Sequence, residues 1–151
     1  MQQTIERLLL TIWIGGMWAV GYIVAPTLFN MIDERALAGE IAGRLFTIMS
    51  FIGLFSATLL LISLLATGMK PVMRQWRVWL LVVMIAVIVA GEFVLQPQMA
   101  AIREGGVLAT EKAQFGMLHG IASVLFLINS LAGLVLVLFG LRPKSSSSIF
   151  K

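Results

Sequence analysis

VWLLVVMIAVIVAGEFVL (Val78–Leu95) is an apolar run whose single charge is Glu92. It continues to Ile102 without another charged residue. Roughly 20 apolar residues cross about 30 Å of hydrocarbon as a helix. Lipid offers the backbone no hydrogen-bond partners, so the run must be helical. Three more stretches read the same way: Leu8–Ile32, Leu45–Met69 and Ala113–Leu141, the last interrupted only by His119. The expected fold is therefore an all-α polytopic membrane protein, a bundle of four transmembrane helices.

Composition agrees. The chain of 151 residues is 60% hydrophobic and 12% charged, with mean hydropathy +1.00. Soluble domains lie near roughly 45–50% apolar and about 25% charged. The net charge of +4 does not argue for nucleic acid, because the basic residues sit in short segments beside apolar runs. There they set orientation. Arg7, Lys70, Arg74, Arg77, Arg142, Lys144 and Lys151 fall on one side, and Arg35, Arg44, Arg103 and Lys112 on the other. Seven against four predicts both termini in the cytoplasm. Cysteine is absent, which excludes disulfides and thiolate chemistry, and one histidine cannot build a multi-histidine site within one subunit.

The domain is expected over residues 1–143, with helices at about 8–29, 46–67, 78–96 and 117–141 and a polar tail at 144–151. Ala19-Val20-Gly21 is a weak small-x-small cleavage signal, but the apolar run continues to Phe29, so the first helix is expected to be retained. Asn30–Arg44 reads as a short amphipathic helix or the far end of helix two, with Glu40 and Arg44 as an i,i+4 pair. Gly68 and Pro71 mark a tight hairpin. Pro26 is expected to kink or end helix one. Small residues recur at i,i+4: Gly21 with Ala25, Gly53 with Ala57, Gly116 with Gly120, and Asn129 with Gly133. Such pairs bring membrane helices close, within one bundle or between subunits of a homo-oligomer. No internal repeat is evident.

Glu92 lies about 14 residues into its helix, roughly 21 Å from the start, which places it in the outer part of the membrane. His119 begins helix four at a similar depth. Gln96 follows Glu92 by one turn, and Ser123 and Ser130 lie close to the His119 face. Trp18, Tyr22 and Pro26 form a stripe on helix one. Together Glu92, His119, Gln96, Ser123, Tyr22 and Asn129 are candidates for an outward-facing polar pocket that binds or transports a small cation or solute. An intramembrane carboxylate faces a cavity or a partner. The partner reading stays open beside the pocket: Glu92 paired with Arg44 or Arg103 as a structural lock. Asn129 is expected to bond between helices, and the Ser63 and Thr67 hydroxyls to bond their own helix. No nucleophile elbow, phosphate loop, HExxH or CxxC is present, so no enzyme class is assigned. Metal and cofactor stay unassigned.

WIGGMWAVGYIVAPTLF (Trp13–Phe29), AGEIAGRLF (Ala38–Phe46), QPQMAAIRE (Gln96–Glu104) and FGMLHGIASVLFLINS (Phe115–Ser130) resemble the bacterial domain-of-unknown-function family 4149, which is similar to eukaryotic transmembrane protein 205. The resemblance implies a four-helix inner-membrane protein with no settled activity. Its polar positions match at Pro26, Asn30, Arg44, Pro97, Arg103, His119 and Asn129. Trp13, Gly15 and Gly16 are also similar to copper-resistance D-type proteins and to the small haem-pathway membrane oxidases. The single histidine departs from both. A membrane redox or haem-linked protein and a non-catalytic partner subunit of the envelope are the rival readings.

Overall fold

A computed structural model describes residues 2–66, 75–105 and 111–140. The first span is α1 (Gln2–Trp18), a π-helical turn (Ala19–Val24) and α2 (Ala25–Met31). The second is one long helix, α3 (Arg35–Ala66). The third is α4 (Trp76–Ala90), a second π turn (Gly91–Leu95) and α5 (Gln96–Glu104). The fourth is α6 (Glu111–Phe139). All four spans are long and apolar enough to cross a membrane, and the chain is a multi-pass membrane protein. Spans one and three run away from the terminal end, and spans two and four return to it. The stretch after Asn30 forms no separate helix: the chain reverses over residues 32–34 and α3 is already the second span. Gly68, Pro71, Thr67 and the polar tail lie outside the described residues.

Each π turn stands just before a proline. Pro26 and Pro97 are each the second residue of their helix, α2 and α5. Proline lacks an N–H, so the carbonyl four residues earlier loses its donor. The ladder widens in compensation. Ala25 N–H reaches Val20 O and Gln96 N–H reaches Gly91 O, five residues back. Pro26 therefore neither ends the first span nor starts its loop. The span continues to Met31, and the widened turn advances the phase of everything after it.

Packing differs between the two ends. Near the termini all four spans close on one cluster that includes Trp13, Ile14, Ala57, Leu81, Met84 and Leu136. Glycines let the backbones approach. A Cβ on Gly53 would lie 2.5 Å from Trp13 Nε1, and one on Gly133 would lie 2.6 Å from Ile14 Cδ1. Close van der Waals contact of this kind holds membrane helices together, since lipid is as apolar as leucine. Gly116 and Gly120 make no such approach: among the described residues, nothing outside their own helix backbone lies within 4 Å of a Cβ built at either position. The Ser63 hydroxyl donates to Glu6 Oε1 at 2.8 Å, tying span two to span one. Toward the far end the buried cluster is smaller and joins spans three and four, through Leu95, Met99, Ile102 and Leu118. Ile12, Phe55, Leu131 and Leu138 are exposed on the outer faces of the bundle, the surface that meets the bilayer.

Candidate functional site

The far half of the bundle opens into a cavity of about 760 Å³ bordered by all four spans. Trp13, Met17 and Ile88 border both this cavity and the packed cluster, which makes them its floor. Phe46, Met49 and Phe126 form much of the wall. Five of the six sequence-derived pocket candidates converge here: Glu92, Gln96, His119, Ser123 and Asn129. Arg103 joins them.

Tyr22 does not join them. Its hydroxyl lies 3.1 Å from Ser130 Oγ, which also accepts from Trp18 Nε1 at 2.8 Å. The π turn explains the division of the Trp18–Tyr22–Pro26 stripe. It separates Pro26, which borders the cavity, from Trp18 and Tyr22, which lock span one to span four.

The arginine lock on Glu92 does not form. Arg44 pairs instead with Glu40 at 2.7 Å along its own helix, and both side chains are exposed. Arg103 is held by backbone and amide oxygens. Nη1 donates to Gly39 O at 3.3 Å, Nε to Met99 O at 3.3 Å, and Nη2 to Gln96 Oε1 at 3.5 Å. Gln96 Nε2 in turn donates to Gly43 O at 3.4 Å. These long bonds strap span three to span two across the cavity. Glu92, half-buried, makes no hydrogen bond or ion pair with any described residue.

Asn129 is buried, at 5% exposure. Its Nδ2 faces Met17 Sδ at 3.8 Å, and its Oδ1 has no partner among the described residues. The interhelical hydrogen bond expected of Asn129 forms, to span one, though a thioether sulfur is a weak acceptor. A buried unpaired carbonyl costs about 1–3 kcal/mol, so it calls for an explanation. His119 is exposed at the cavity edge. Its ring lies parallel to Phe115 at 6.3 Å, and no hydrogen bond joins it to Glu92 or Gln96. No three His, Cys, Asp or Glu residues gather among the described ones. The available donors therefore do not form a metal centre, and one exposed histidine does not make a haem pocket.

The sequence reading missed Gly39 and Gly43, whose carbonyls hold Arg103 and Gln96. Their i,i+4 spacing carries the same small-residue signal as the pairs it did notice. It also missed Phe46, Phe126 and Arg35, which nothing in the local sequence separates from lipid-facing or loop residues.

No curated protein and no solved structure matches the chain. The family match runs over residues 8–107 and so takes in Glu92, Gln96 and Arg103. The quoted resemblance in span four, with His119 and Asn129, lies beyond it. On that match the chain belongs to the family described as Domain of unknown function (DUF4149).

Proposed function

We propose that this protein binds a small amphipathic solute in the far-end cavity, as a carrier or receptor in a bacterial inner membrane. The basic residues near the termini set both termini in the cytoplasm, so the cavity opens outward. One observation carries the reading: Glu92, half-buried, lines an apolar-walled cavity, and no described group pairs with it. Small-molecule sites are typically about 300–1,000 Å³, apolar, with a few convergent polar groups. About 760 Å³ falls within that range. The two π turns lend support, since π turns inside helices are frequent at functional sites. Gly21 of one π turn and Gly91 of the other both border the cavity.

Native mass spectrometry of the full chain, released gently from detergent, tests the reading. A leucine at Gly39 has room to enter the cavity, since its Cβ meets only Phe29 Cζ at 3.8 Å. Wild type should retain a small-molecule adduct after incubation with total membrane extract, and Gly39→Leu should lose it. Adduct-free spectra for both proteins overturn the proposal.

A further inference from the structure

One acceptor in the cavity stands out as unpaired. Arg103 spends three of its five N–H donors on Gly39 O, Met99 O and Gln96 Oε1. Gln96 spends one amide N–H on Gly43 O. Ser123 Oγ donates to His119 O at 2.8 Å. Glu92, half-buried in the lining, has no partner among the described residues. Arg35 and His119 also border the cavity and are exposed. A complementary ligand supplies N–H donors and positive charge to Glu92, and an apolar body to the wall of Phe46, Met49 and Phe126. A bare divalent cation is a poor fit, because calcium or magnesium takes about six or more oxygens and these walls carry few.

Resting on the binding reading above, we propose that the cavity selects an alkylammonium group. Glu92 is its counter-ion. The ammonium comes either from a free amphipathic amine or from the headgroup of an aminolipid. In the second case the lipid phosphate reaches Arg103 and Arg35, neither of which has a carboxylate partner among the described residues.

The experiment titrates the full chain with dodecylamine, dodecanol and dodecanoate and reads bound stoichiometry by native mass spectrometry. A charge-assisted bond predicts dodecylamine bound at least about tenfold more tightly than dodecanol, with dodecanoate weakest. Glu92→Gln should reduce dodecylamine to the level of dodecanol and leave dodecanol unchanged. The preference of the wild type among the three probes carries the test by itself if Glu92→Gln does not fold. Equal retention of all three probes, or an amine affinity unmoved by Glu92→Gln, overturns the ammonium assignment and leaves the binding cavity standing. Failure of all three probes removes both. Nanodiscs separate the sources. Dodecylamine weakened in phosphatidylethanolamine relative to phosphatidylcholine, whose quaternary nitrogen has no N–H, identifies the aminolipid. Equal binding in the two identifies a free amine.

Discussion

Gly53→Ala should destabilise the bundle although it adds a single methyl group. Gly53 is buried in α3 beneath Trp13, which is 1% exposed. The new Cβ would lie 2.5 Å from Trp13 Nε1 and 3.1 Å from both Trp13 Cδ1 and Ile88 Cδ1. Carbon contacts are favourable at about 3.5–4.0 Å, so the indole must retreat by about 1 Å. Ile88 can yield at its terminal methyl. Trp13 is a rigid ring wedged among Ile14, Met17 and Ala57, so its retreat strains the whole cluster. Overpacking of this kind costs about 1–3 kcal/mol. The glycine-to-alanine gain in helix propensity returns up to about 1 kcal/mol. Burial in lipid adds no transfer gain to offset the strain. Gly116→Ala isolates the packing part, because among the described residues nothing outside its own helix backbone lies within 4 Å of a Cβ built there, and only the propensity change acts. Both variants can be unfolded by SDS titration from mixed micelles and followed by circular dichroism. Gly53→Ala should fall below Gly116→Ala by about 1–3 kcal/mol. Equal midpoints would refute the claim that the glycine exists to seat Trp13.

Gly21→Ala meets an even closer neighbour, the Phe126 ring. That ring borders the cavity and can turn into empty space, so stability should fall less than in Gly53→Ala while adduct retention falls more. Ser130→Ala removes the hydroxyl shared by Trp18 and Tyr22. It should cost about 1 kcal/mol in SDS unfolding, with a shift in tryptophan emission as its signature. Glu92→Gln breaks no ion pair and should leave stability within about 0.5 kcal/mol of wild type. A loss of about 3 kcal/mol or more, as for a broken buried pair, would show that Glu92 has a charged partner after all.

Most of the fold could be read from the sequence because the bilayer imposes one rule on every span: apolar and helical for its full length. Side-chain pairing was less legible. The Glu40–Arg44 pair is local and follows from i,i+4 spacing alone, and it already removed Arg44 as a partner for Glu92. The fate of Arg103 depended on a different helix. Its bonds go to the carbonyl of Gly39 and to an amide on its own helix, and carbonyl acceptors leave no trace in a search for opposite charges. Helical counting put Trp18, Tyr22 and Pro26 on one stripe, but the π turn leaves Trp18 and Tyr22 together on Ser130 and brings only Pro26 to the cavity.

The two halves of the chain show where function and structure part. Spans one and three share an order: α-helix, π turn, proline, short helix. Within each π turn a glycine is followed by a residue with a polar end, Tyr22 after Gly21 and Glu92 after Gly91. In span one that residue closes onto Ser130, and the bond ties two helices together. In span three its counterpart opens into the cavity with no described group to meet it. A widened turn interrupts a helix that lipid would otherwise keep regular, and a carboxyl inside a membrane is costly. Stability alone would favour closing the second turn as the first is closed. The asymmetry, rather than either turn alone, marks Glu92 as the group held back for something outside the chain.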